Sequence, residues 1–152
     1  KMRNKIAGML LISILFVGCS QQSNQQTEHF NKYLQKAFGE TIAEQDTVLY
    51  LISGRGCINC SKAAMQYYLE NIGNRKKHGT FIITKEAKKI VDVNLEGISY
   101  KCDTLNLLKR VDLPLEGIAK MKIRDNQIDT IRTLKASELT ENEVRRFFEY
   151  GN

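Results

Sequence analysis

The segment "TVLYLISGRGCINC", residues 47 to 60, restricts the possible folds of this chain more than any other. It begins as a short, continuous apolar run with β-branched and aromatic residues, bounded by polar residues and glycine. Such a run reads as a strand buried on both faces. Ser53-Gly54-Arg55-Gly56 provides a tight connection. Cys57 and Cys60 then open a stretch in which Ile58, Ala63, Ala64, Tyr67, Tyr68 and Ile72 form the apolar side of a helix, with Gly73 as its stop. A strand buried on both faces needs a layer of helices above and below it, so the chain is expected to be an α/β protein.

The remaining segments extend this pattern. Phe30, Tyr33, Leu34, Ala37, Phe38 and Ile42 follow helical spacing and predict a first amphipathic helix. "TFIIT" (80–84) reads as a second buried strand, "KEAKKIVDVNLE" as a short helix leading to Gly97, and "ISYKCD" as a third strand. Thr104 to Val111 makes a helical turn or two, broken by Pro114. "IAKMKIRDNQIDTIRTL" is a hairpin turning at Asp125-Asn126. Ser137 and Thr140 are cap candidates, and Thr140-Glu141-Asn142-Glu143 has the form of a capping box for a last helix with Val144, Phe147 and Phe148 on one side. Strands alternating with helices and closing in a hairpin predict a mixed central sheet covered on both faces, a three-layer α/β/α sandwich.

The N-terminal stretch is of a different kind. Lys1, Arg3 and Lys5 precede an apolar run from Ile6 to Val17, which is too short to span a membrane comfortably. Residues 1–18 therefore read as a secretory signal peptide. Phe16-Val17-Gly18-Cys19 resembles a bacterial lipobox, which makes Cys19 the expected lipidated (palmitate-type) N-terminus of the mature chain. Residues 19–27 are polar and read as a flexible tether, leaving 28–152 as one domain. The implied location is the bacterial cell envelope, lipid-anchored and facing the periplasm.

Charge excludes one class of partner. Lys1, Arg3 and Lys5 supply three of the net +6, so the mature chain keeps only +3. Its lysines are scattered, and Arg75-Lys76-Lys77 suits a solvated helix end, so nucleic acid is not an expected partner.

Once Cys19 is set aside, three of the four cysteines remain, an odd number that argues against a purely structural disulfide framework. Cys57 and Cys60 could be a working redox pair, a staple, or half of a metal site completed by Cys102 or His78. A staple closing so short a loop would add little chain-entropy stabilisation. No second Cys-x-x-Cys and no histidine-rich pair supports the metal site. Cys102, in the third strand, reads as a small buried apolar residue.

In the order of its elements and in its motif, the chain resembles the thioredoxin-like family over most of residues 28–150. The cysteine motif there follows a buried strand and opens a helix, as "VLYLISGRGCINC" does. "YKCDTLNLLKRVDLPLEGIAKMKIRDNQI" looks like the family's third strand with its strand-end acid (Asp103), a short helix and the closing hairpin. At the place of the family's cis-proline stands Gly117-Ile118-Ala119, expected to be trans. Leu51 stands where the family has a buried acid, and Gly56 where it has a tryptophan.

The resemblance implies a thiol–disulfide oxidoreductase that acts on protein thiols or disulfides in the periplasm as a monomer, without cofactor or bound metal. Cys57, at the first helical turn, meets free N–H groups and the positive end of the helix dipole and is expected to be the attacking thiolate. Cys60, on nearly the same face, is expected to be the resolving thiol. The alternative is a thioredoxin-fold binding or scaffold lipoprotein without turnover.

Overall fold

The computed structural model describes residues 23–71 and 79–149. The signal peptide, Cys19, Ile72, Gly73, the basic cluster at 75–77 and His78 lie outside the described residues.

The elements follow in the expected order. A first helix, α1, covers residues 23–38. Then come β1 (Val48–Ile52), α2 (Ile58–Asn71), β2 (Thr80–Thr84), α3 (Lys85–Val91), β3 (Tyr100–Asp103), β4 (Ile118–Arg124), β5 (Gln127–Leu134) and α4 (Glu141–Glu149). Short 3-10 turns at Ile42–Glu44, Leu107–Arg110 and Ala136–Glu138 punctuate them. The five strands form one mixed sheet in the order β3-β2-β1-β4-β5. β1 pairs in parallel with β2, as does β2 with β3, whereas β4 is antiparallel to β1 and β5. This is an α/β fold compatible with the thioredoxin-like sandwich.

β1 is apolar throughout because both of its faces are covered. Val48, Tyr50 and Ile52 pack with Ala64, Met65 and Tyr68 of α2 and with Val144, Phe147 and Phe148 of α4. Leu49 and Leu51 point to the other face and pack with Phe30, Tyr33 and Leu34 of α1. The aromatic centre of the first layer is Tyr50, stacked on Phe81 at 4.8 Å and touching Phe148 at 5.1 Å between ring centroids. Each such ring contributes roughly 1.5–3 kcal/mol through burial. At the hairpin turn Asp125 and Asn126 both have positive φ (52° and 61°), the backbone a two-residue loop needs to match strand twist.

Several boundaries differ from the sequence expectation. α1 does not run on to Ile42. Gly39, at φ 71°, closes the helix with its N–H on the Gln35 carbonyl, and Ile42 is buried from a separate turn. At its other end, residues 23–27 of the expected tether are helical and belong to α1. Ser23 Oγ donates to the Ile128 carbonyl (2.8 Å), and the Ile128 N–H donates to Thr27 Oγ1 (3.0 Å), tying the helix start to β5. In α2 the inward side is Cys60, Ser61, Ala64, Met65 and Tyr68, while Ala63 is exposed. The buried side is centred on Ser61, Ala64, Met65 and Tyr68, and Ala63 falls outside it. Cys102 is only half-buried, because β3 is an edge strand. Of the capping box, Thr140 Oγ1 accepts from the Glu143 N–H, while the Glu143 carboxylate meets Arg146 and Arg132.

Candidate active site

β1 ends at Ile52, and the next residues turn sharply over the top of the sheet. Ser53 is fully buried and organises that turn. Its hydroxyl donates to the Leu115 carbonyl (2.8 Å) and accepts from the Arg55 N–H (3.2 Å), while its own carbonyl accepts from Thr84 Oγ1. Arg55 extends the tie. Its guanidinium donates to the Leu113 carbonyl (2.5 Å), and its backbone carbonyl accepts from the Gly117 N–H (2.8 Å). The loop from Leu113 to Gly117 is thereby fastened to the residues just ahead of Cys57. The Arg55 guanidinium is thus held on this loop.

Cys57 stands at the N-cap of α2, and its carbonyl accepts from the Ser61 N–H (3.2 Å) and from Ser61 Oγ (3.4 Å). Its Sγ accepts from the Cys60 N–H at 3.2 Å, the bond that an N-cap side chain ordinarily makes to the third helical residue. Cys57 and Cys60 are disulfide-bonded with Cα atoms 5.2 Å apart. The two sulfurs differ in access, since Cys57 is exposed and Cys60 is only 5% exposed. The free N–H groups and dipole of the helix start favour negative charge on the Cys57 sulfur whenever the bond is open.

Gly56 and Gly117 face each other across this site, both at positive φ (70° and 67°). A Cβ on Gly56 would stand 3.1 Å from the Gly117 nitrogen and 3.3 Å from Glu116 Cβ, so a side chain there would press the Glu116–Gly117 backbone aside. A Cβ on Gly117 would lie 3.8 Å from the Cys57 carbonyl oxygen, which brings this loop beside the cysteines, where the resemblance puts it. No peptide bond among the described residues is cis. A cleft of about 340 Å³ runs between Arg55–Gly56 and Leu113–Glu116, with Thr133 on its far wall.

Cys102 is not part of this constellation. It is a free thiol on β3, paired in register with Ile83 and separated from β1 by the whole of β2. Asp103, its buried neighbour, has a structural task, accepting from the Leu105 and Leu108 N–H groups to fix the 3-10 turn after β3. Leu51 is wholly buried and supplies no acid beneath the cysteines. Ser53, Ser61 and Glu116 join the site without having been singled out in the sequence. The nearest signals were the polar residue ending a buried apolar run and the serine directly after Cys60.

No protein-family model, no curated protein and no solved structure matches the chain.

Proposed function

We propose that the protein is a membrane-anchored thiol–disulfide oxidoreductase that exchanges electrons with protein partners in the periplasm through Cys57 and Cys60. One observation carries the reading: a bonded pair in which one sulfur is exposed at a helix N-cap and the other is buried behind it. An incoming partner thiolate can reach Cys57 Sγ. It bonds to that sulfur, the Cys57–Cys60 bond breaks, and Cys60 leaves as a thiolate that takes up a proton. A second thiolate of the partner then attacks the mixed disulfide and releases Cys57 as a thiolate. The partner ends as a disulfide, two electrons having passed to this chain, and the reverse sequence reduces a partner disulfide. Cys19 carries the lipid anchor, and the working form is a monomer without cofactor.

A binding or scaffold role without turnover draws its support from Leu51, which leaves no buried acid to take a proton from Cys60. Insulin reduction with dithiothreitol as electron donor separates the two readings. The oxidoreductase accelerates precipitation of the insulin chains, and Cys57→Ser removes the acceleration. A rate equal to that of dithiothreitol alone would overturn the proposal.

A further inference from the structure

The first described residue of α1, Ser23, follows closely in sequence on the proposed lipid site. Only Ser20, Gln21 and Gln22 separate Cys19 from Ser23, the first described residue, which is helical. Four Cα steps reach at most about 14 Å, much less than the width of the folded body. Ser23 is itself fixed in place by its hydroxyl on the Ile128 carbonyl and, through Thr27, which donates to the Ser23 carbonyl and accepts from the Ile128 N–H.

Ile128 sits at the turn end of the β4–β5 hairpin, opposite Ile123, whereas Leu134 at the other end is opposite Ile118. The Leu134 carbonyl oxygen lies 3.5 Å from where a Gly117 Cβ would stand, beside the Cys57 backbone. The five residue steps from Ile118 to Ile123 correspond to about 17 Å of strand. The two ends of the hairpin thus mark opposite poles of the domain, one holding Ser23 and the other the cysteines. Around the turn stand Lys122, Arg124, Asp125 and Asp129, and Arg124 pairs with Asp129 at 3.8 Å. The mixed charge gives this pole no strong attraction or repulsion for anionic headgroups.

We infer that the β4–β5 turn pole rests against the phospholipid surface and that Cys57 faces away from it. The inference rests on the lipid anchor of the reading above. It limits partners to proteins that present a thiol or disulfide well above the bilayer, and excludes those whose cysteines lie at headgroup level.

The test uses the full chain extracted from bacterial membranes and reconstituted in phosphatidylethanolamine–phosphatidylglycerol vesicles, oxidised at Cys57–Cys60 and carrying Cys102→Ser. A fluorophore is placed through Gln127→Cys at the turn pole or Ser137→Cys at the cysteine pole, and the vesicles contain a headgroup-linked quencher. Quenching several-fold stronger at 127 than at 137 is expected, with the difference lost when a long Gly/Ser spacer is inserted between Gln22 and Ser23. Vesicle flotation and the acyl mass at Cys19 are read on the same samples. Flotation with acyl mass but equal quenching, or stronger quenching at 137, overturns the orientation and leaves the anchor standing. No flotation and no acyl mass overturns both.

Discussion

The backbone N–H of Cys60 donates to Cys57 Sγ at 3.2 Å, so the exposed sulfur is capped by the helix that carries its buried partner. One geometry holds the pair together and prepares a stabilising site for the thiolate that opening the disulfide would release.

Cys57 is therefore expected to ionise below the value of about 8.5 for a free thiol. In the reduced protein it should be alkylated much faster than Cys60. Cys60→Ser should accumulate mixed disulfides with partner proteins on non-reducing gels, Cys57→Ser should show none, and Cys102→Ser should change neither. Adducts that persist without Cys57 but vanish without Cys60 would reverse the roles.

Gly56→Ala should damage both fold and exchange. The left-handed backbone alone costs a residue with Cβ about 1–2 kcal/mol, and here the Cβ would also press on Gly117 and Glu116. Thermal melts should show the loss of stability. The thiol-exchange rate should fall further than that of a variant equally destabilised at a distant site such as Val144→Ala.

Thr27→Val tests whether the folded body begins ahead of residue 28. The hydroxyl accepts from the Ile128 N–H and donates to the Ser23 carbonyl, and Thr27 is buried. Leaving that N–H unpaired should cost about 1–3 kcal/mol in denaturant unfolding. An unchanged midpoint would mean that the helix start contributes nothing to stability.

Lys120 gives stability a distinctive dependence on pH. It is buried, donates to the carbonyls of Phe147 and Phe148 at the end of α4, and lies near the Tyr50 ring. Burial, with Lys122 and Arg132 nearby, pulls its ammonium down to about 8 from an ordinary 10.5. Between those values the unfolded chain binds the extra proton, so stability should rise as pH increases from about 8. The rise ends near pH 10, where burial of Tyr33 and Tyr50, whose phenols are held protonated in the fold, begins to favour the unfolded chain. Lys120→Met should flatten the rise in pH-dependent melts; a wild-type curve flat or falling from pH 8 to 9.5 would contradict it.

Phe148→Ala should be among the most damaging core changes. The ring is wholly buried against Tyr50 and Tyr68, and its carbonyl accepts from Tyr50 Oη (3.3 Å) and from Lys120. A loss of about 3–5 kcal/mol is expected from calorimetry or denaturant titration.

The order of the elements, the buried strands and the hairpin turn were legible in the sequence because each is encoded locally. An unbroken apolar run marks β1, a 3.6-residue period marks the helices, and Asp125-Asn126 supplies the backbone its turn requires. The proximity of Cys57 and Cys60 was equally local, since one helical turn brings them together. What the sequence did not contain depends on which element covers which. Cys102 is half-exposed because β3 lies at the sheet edge, Lys120 is buried because α4 closes over it, and Ala63 is outside because α2 turns Ser61, Ala64, Met65 and Tyr68 to the sheet. The fastening of Leu113–Gly117 by Ser53 and Arg55 likewise joins residues about sixty positions apart. Composition and periodicity act over a few residues, whereas the sheet order and the placing of α1 and α4 are decided by packing across the whole chain. The extent of the difference between the two cysteines, Cys57 exposed and Cys60 buried, comes from the way α2 is packed on the sheet.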